Sequence, residues 1–547
     1  MGNKMTEPKV GKWPAFLMLI LCLAIFLRFY AIGQESLWID EGASAMTMKL
    51  YTGMETLKNI YLYGQTLPGL YPGISDLPVY HPTLYYWTRI FGVSEAGLRS
   101  YSAIYGILAL IPTFLLAREL FGRKIANIAA FLMAINVSAI YYAQEARPYS
   151  LVLFFGISSI YFFYMALQKN TGYYWAWFVA FALLGLYTHF LFEILVIFEC
   201  AYLALHLIWI RQKKIREIIT EIFSWKKGLA RNAGVALLLI FILSLPLVVR
   251  TFREGNAEDW RGKPSVGTIA RFFVKFVGWI QPTDAVRESL SSGDYAGIGF
   301  WPLLAFIGLF GALAVSYFAV GSAIISGESG IACLFRDSKS SRKNMNAKLL
   351  GDWARQNEAI VFSALCFAFP VLFSLLLSYL TPIPIFGPFN YLIYCLPVFL
   401  ILVAKGISNS KMNLPGKYGM SWMLLLLIVL SLPVVIDYYN GPNRQQWREV
   451  SQYLQENAAD KEPILVSLYS GAVTLEYYNG DNPHIFGVKD AGQAGEILQA
   501  ADSGWLALSF WQYGDPEGTI RKKVEERFEL GERIRFYDID LYHIKRR

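Results

Sequence analysis

Charge is scarce in this chain. Only 16% of its 547 residues are Asp, Glu, Lys or Arg, whereas a soluble domain carries about 25%. Its five cysteines show no CxxC and no Cys/His spacing, so neither a zinc module nor a disulfide framework is indicated. Cys22, Cys200, Cys366 and Cys395 fall inside apolar stretches, where they act as small apolar residues. No glycine-rich phosphate loop is present to hold a nucleotide sugar. Tandem repeats and low-complexity tracts are also absent. No basic run is interleaved with base-stacking aromatics, which argues against a nucleic-acid partner.

Apolar residues are abundant instead. They make up 55% of the chain, the mean hydropathy is +0.38, and they come in long blocks. About 20 mostly apolar residues cross the hydrocarbon of a bilayer. Windows of that kind open near Trp13, Gly97, Ile125, Ser150, Trp175, Phe190, Asn232, Ile298, Ala359, Tyr391 and Ser421. They predict a polytopic α-helical membrane protein with about eleven transmembrane helices. The first block, Trp13 to Ile32, is too long for a signal-peptide core and lacks a small-residue cleavage site, so it reads as a retained span.

Basic residues cluster in four connections: Arg123 and Lys124; Arg211 to Arg231; Arg336 to Lys348; and Lys405 to Lys417. All four fall on one side if the amino terminus is cytoplasmic. The net charge of +8 is then mostly topology and attraction to membrane lipids of the inner leaflet. The expected location is the plasma membrane, multi-pass, with the carboxyl-terminal part outside. The chain divides at this stage into a transmembrane region, 1–436, and an α/β extracytoplasmic domain, 437–547. Within the first lies a long outer loop from Gly33 to about Ala96. In the tail, helical and strand periodicities alternate: helix from Trp447 to Asn457, strand from Pro463 to Leu468, helix from Gly471 to Tyr478, helix from Ala491 to Ala500. Strand from Trp505 to Phe510, helix from Gly518 to Phe528 and strands Arg533–Tyr537 and Leu541–Ile544 complete it.

Ionisable groups where spans meet the interface are expensive unless used. Asp40 and Glu41, in ESLWIDEGASA, are the candidate catalytic carboxylates: one could take the proton of an acceptor hydroxyl, and both are candidates for holding a divalent metal cation. Capping of the helix that follows is the competing role. His81, in YHPTLYYW, precedes a proline and is expected at a turn. There it could donate to a leaving phosphate, or neutralise it when charged, or be satisfied at the water interface. YYAQEARPYS is a short outer turn with Gln144, Glu145, Arg147 and Tyr149. The planar guanidinium of Arg147 suits phosphate oxygens, although Glu145 could simply pair with it. His189, in LYTHF, meets the end of a span. Asp259, Trp260 and Arg261 form a weaker candidate contact in the second large outer segment.

The order ESLWIDEGAS, HPTLYYW, GLRSYSAIYG…ARELFGRK, YYAQEARPYS and LYTHF resembles the GT-C superfamily of membrane glycosyltransferases. It is most similar to the branch of protein O-mannosyltransferases and the aminoarabinose transferase of lipid A (glycosyltransferase family 39-type). The likeness runs from about residue 10 to 200 and thins through NYLIYCLPVFLILVAKG and RQQWREVSQYL. The resemblance implies transfer of a sugar from a polyprenyl-phosphate donor at the outer face. Asp40 and Glu41 map onto the family's catalytic acidic residues, and His81-Pro82 onto the motif near the donor phosphate. Gln144, Glu145, Arg147 and Tyr149 map onto its second outer turn. Relatives often carry Arg-Tyr where this chain has Asn390-Tyr391, so phosphate binding there needs another cation. The acceptor is a protein, lipid or glycan hydroxyl. A lipid-linked sugar flippase or a non-catalytic scaffold remains the rival, although no paired halves with Gly/Pro-broken spans are found.

Overall fold

The computed structural model describes residues 15–50, 78–224, 228–254, 263–278, 300–325, 356–381, 385–409, 422–480, 482–509, 515 and 517–547. Asp259 to Arg261, residues 51–77 and the basic connection from Arg336 to Lys348 lie outside them.

Helix α1 (Ala15–Phe29) leads into an outer segment bearing α2 (Ile39–Leu50) and α3 (Tyr80–Phe91). Helices α4 (Glu95–Leu108) and α5 (Leu110–Phe121) run on as one apolar span of 27 residues. Ser94 starts it by accepting a hydrogen bond from the Gly97 amide. Next, α6 (Arg123–Ile135) and α7 (Val137–Ala143) form one span bent by 57°. Asn136 makes the bend: its Oδ1 accepts from the Ala139 amide at 3.0 Å, while its Nδ2 donates to the Phe276 carbonyl at 3.0 Å. Helix α8 (Tyr149–Lys169) follows, closed by Asn170 in the left-handed region at φ 49°. Then come α9 (Gly172–Leu186), α10 (Glu193–Leu205), α11 (Ile215–Ile222), α12 (Leu229–Glu254) and α13 (Val266–Val274). Helices α14 (Phe300–Ile325), α15 (Glu358–Leu380), α16 (Cys395–Asn409) and α17 (Trp422–Asn440) complete the membrane region.

Among the described residues, seven helices are long and apolar enough to cross a bilayer, or eight with the bent pair. Three more apolar helices, Phe16–Phe29, Gly172–Leu186 and Cys395–Asn409, are of 10–17 residues. The described residues thus give seven or eight spans by length, against the about eleven expected.

The tail folds around a five-stranded sheet of order β2-β1-β3-β5-β4, built from β1 (Ile464–Val466), β2 (Ile485–Gly487), β3 (Ser503–Ser509), β4 (Phe528–Phe536) and β5 (Ile539–Arg546). β1 is parallel to β2 and β3, whereas β5 is antiparallel to β3 and β4. Alternate residues bury on opposite faces. Ile464, Val466, Trp505 and Ala507 pack with Trp447, Leu454 and Leu475 of helices α18 (Trp447–Asn457) and α19 (Tyr469–Asn479). Leu465, Leu506 and Leu508 pack with Ala494, Ile520 and Val524 of α20 (Ala491–Ile497) and α21 (Thr519–Glu525).

This sheet domain is seated on the outer segment. Ser36 Oγ donates to the Gln445 carbonyl at 2.6 Å, and the Leu37 amide donates to Tyr478 Oη at 2.7 Å. Gly42 of α2 lies against Thr474 of α19 so closely that a Cβ there would sit 2.1 Å from Thr474 Oγ1.

Candidate active site

The two adjacent carboxylates of α2 meet different surroundings. Glu41 is fully buried. Its Oε1 accepts from Arg99 Nε at 2.8 Å and from the Ala146 amide at 2.7 Å, and its Oε2 accepts from Arg99 Nη2 at 2.7 Å. Arg444 Nε, from the tail, stands 3.7 Å away. Burial alone would raise the Glu41 pKa, but Arg99 and then Arg444 outweigh it and hold the carboxyl below its ordinary value. Arg99 also donates to the carbonyls of Ile32, Glu35 and Ser36. Arg444 pairs with Glu35 and donates to the Gln144 carbonyl. Glu41 thus knots the outer segment, span α4, the turn after α7 and the tail together.

Asp40 is freer. Its side chain is 37% exposed, with Oδ2 3.8 Å from Arg147 Nη2. Arg147 Nη1 also donates to the Asp40 carbonyl at 3.4 Å, and the Arg147 Nε is buried without a hydrogen-bond partner. The Arg147 carbonyl accepts from Ser102 of α4 at 3.1 Å, which fixes the turn. A guanidinium held from behind, with an uncommitted donor, is suited to an incoming anion.

Three more expected residues gather here. His81 is buried in the first turn of α3, not at an exposed turn, because Pro82 occupies an early helical position where a missing amide is harmless. Burial and then Arg147 push its pKa down to about 3. The imidazole is therefore neutral, and its Nε2 has no hydrogen-bond partner. Glu145 is buried with its Oε2 unpartnered. Burial and then Glu41 raise its pKa to about 8, so it carries a proton at neutral pH. Tyr149 opens α8, edge-on to Tyr142 at 5.6 Å between ring centroids and 6.0 Å from the Arg147 guanidinium.

His189, Tyr391 and Gln144 remain. His189 accepts through Nδ1 from the Leu191 amide, and its ring meets Tyr391 at 4.9 Å and Tyr149 at 6.4 Å. Gln144 faces the other way. Its Nε2 donates to the Tyr30 carbonyl at 2.8 Å and its Oε1 accepts from Tyr438 Oη at 2.7 Å, fastening α1 to α17.

Arg99, Arg444 and Lys275 were not among the expected site residues, although Arg99 lies in GLRSYSAIYG and Arg444 opens RQQWREVSQYL. Arg99 is a lone charge inside an apolar span, which by itself marks a used residue. Lys275, in the apolar run RFFVKFV, ends α13, and Ser138 of α7 donates to its carbonyl at 2.6 Å. Burial lowers its pKa to about 7, against the pull of Glu145. The partners of Arg444 could not be read from the sequence, since Glu35 and Glu41 lie about four hundred positions away. As for a metal, no three His, Cys, Asp or Glu side chains converge among the described residues. Glu41 has already committed its oxygens to Arg99 and Ala146. These residues do not fit a divalent-cation centre.

The described residues form a protein of apolar helices, seven or eight of them long enough to cross a bilayer, with a small carboxyl-terminal sheet. A family model described as dolichyl-phosphate-mannose-protein mannosyltransferase matches residues 78–225. The oligosaccharyltransferase of Archaeoglobus fulgidus in the apo form has a similar structure, with a TM-score of 0.50 and 14% identity, over 94% of this chain and 72% of that one. ArnT from Cupriavidus metallidurans bound to undecaprenyl phosphate gives 0.49 and 11% over 96% of this chain and 98% of that one. An uncharacterised protein of Aquifex aeolicus (strain VF5) is 29% identical over 153 residues, which span 27% of this chain and 29% of that protein. The family model and the Archaeoglobus fulgidus structure are both named for transfer of a sugar group.

Proposed function

We propose that the protein transfers a sugar from a polyprenyl-phosphate donor to an acceptor hydroxyl at the outer face of the plasma membrane. The observation that carries this reading is the half-exposed Asp40 carboxylate 3.8 Å from Arg147, a guanidinium anchored in a buried turn. The family match over residues 78–225 supports a lipid-phosphate sugar as donor.

In this reading the Arg147 guanidinium and the neutral His81 imidazole donate to the phosphate that becomes the leaving group, offsetting its developing charge. Lys275 supplies the cation missing at Asn390. The acceptor oxygen attacks the anomeric carbon as the sugar–phosphate bond breaks, and Asp40 takes the acceptor proton. The polyprenyl phosphate departs with the bonding pair. A single displacement without a covalent intermediate inverts the anomeric centre. Glu41, saturated by Arg99 and Ala146, holds α2 in place. The donor-side roles of Tyr149, His189 and Tyr391 are contacts to the sugar or lipid, and Gln144 acts through the framework. The tail, residues 437–547, lies outside with the site.

Mass spectrometry of glycolipids and glycoproteins from cells lacking the gene, complemented with wild type or Asp40→Asn, tests the assignment. Wild type restores a lost glycan and Asp40→Asn, inserted at equal level, does not. Restoration by Asp40→Asn removes Asp40 as the base, and an unchanged glycan profile in the null strain removes the transferase.

A further inference from the structure

Among the described residues, the most sharply two-faced helix lies far from this site and has no part in it. On α11, at 100° per residue, Ile215, Ile218, Ile219, Ile222 and the adjoining Phe223 form one continuous stripe. Arg216, Glu217, Thr220 and Glu221 occupy the opposite side. No residue of α11 is buried, and Ile215, Ile219 and Phe223 are 65%, 51% and 82% exposed. In water such a stripe would be a liability for solubility.

Its place in the chain supplies the occupant. α11 lies between the spans Phe190–Ile210 and Leu229–Leu247. Its first residue is five positions beyond the end of the first span, a reach of at most about 18 Å. Arg211 Nη2 donates to the Leu167 carbonyl near the end of α8, and Glu221 accepts from the Ala230 amide at the start of α12. The helix is thereby tied to span ends and cannot leave the membrane boundary. That boundary is the one opposite the candidate site, because α8 begins beside Arg147 and, at 21 residues, is about 31 Å long. Lys213 pairs with Glu221, whereas Lys214 and Arg216 are exposed and make no ion pair with any described residue.

We propose that α11 is a membrane-surface helix. It seats the isoleucine–phenylalanine stripe at the acyl boundary and binds anionic phospholipid headgroups through Lys214 and Arg216.

The full chain in nanodiscs tests this, with a fluorophore on Ile219→Cys in a background freed of its native cysteines. Lipids brominated in the upper acyl chain should quench it and aqueous iodide should not. Native mass spectrometry should show phosphatidylglycerol retained over phosphatidylcholine. Lys214→Gln/Arg216→Gln should reduce that preference by about fivefold per charge removed and leave the acyl-chain quenching unchanged. Ile219→Glu/Phe223→Glu, probed from Ile215→Cys, should abolish the quenching without moving the thermal midpoint. Iodide quenching at position 219, or protection that follows protein concentration instead of lipid, overturns the seating and makes the stripe a contact between copies. An unchanged phosphatidylglycerol preference in Lys214→Gln/Arg216→Gln overturns the headgroup assignment.

Discussion

Asp40 and Glu41 are chemically near-identical neighbours, and 100° of helix rotation separates their fates. Glu41 turns into a buried knot of arginines, whereas Asp40 looks toward solvent and Arg147. Breaking a buried ion pair by removing one charge leaves the other stranded, at about 3–5 kcal/mol. Glu41→Gln is therefore expected to lower thermal stability strongly, with Asp40→Asn within about 0.5 kcal/mol of wild type. Thermal unfolding of the two purified variants checks this, and equal losses would contradict the division of roles. The sequence showed that an acidic pair stood near the interface. It did not show which member was committed, because the partners Arg99 and Arg444 sit 58 and 403 positions downstream of Glu41.

Glu145 gives the site a pH signature. Its pKa, about 8 in the folded protein, exceeds the ordinary carboxyl value, so the native state holds a proton that the unfolded chain releases. Its contribution to stability is complete below about pH 4.5 and is lost as pH rises through about 8, on the order of a few kcal/mol. His81 and Lys275, with lowered pKa values, act in the opposite sense, so the useful quantity is a difference. The thermal midpoint of Glu145→Gln minus that of wild type should climb steadily between pH 5 and 8. A constant offset would mean that Glu145 is ionised throughout.

At the scale of elements, the close approach of α2 and α19 positions the helix that carries Asp40. A methyl at residue 42 would collide with the Thr474 side chain at 2.1–2.6 Å. Gly42→Ala should destabilise by about 1–3 kcal/mol, and Thr474→Gly in the same chain should recover part of that loss in a double-mutant cycle. Strict additivity would show that the two helices do not press on each other. Such contacts leave no periodic trace. Periodicity did foretell α18 at Trp447–Asn457 and most of the sheet, whose residues alternate or run apolar. It missed β2, because three residues, Ile485–Gly487, are too few to show alternation. It also gave no sign of the bend between α6 and α7, since a bend made by the side chain of Asn136 needs Phe276 as its partner.

For the whole molecule, the tail and the Asp40–Arg147 cluster are joined through Arg444, Gln445 and Tyr478, so they share one side of the membrane. Helix α11 lies beyond the far end of α8, on the other side. The positive-inside rule leads one to expect α11 in the cytoplasm, and the proposed lipid-phosphate donor working outside requires the same orientation. A cysteine at Asp502, which is 93% exposed on the sheet domain, should then react with a membrane-impermeant maleimide in intact cells. One at Thr220, on the polar side of α11, should react only after the membrane is opened. The reverse pattern would place Asp40 in the cytoplasm, among nucleotide sugars that the chain has no phosphate loop to bind, and would remove the outer-face reaction while leaving the fold untouched.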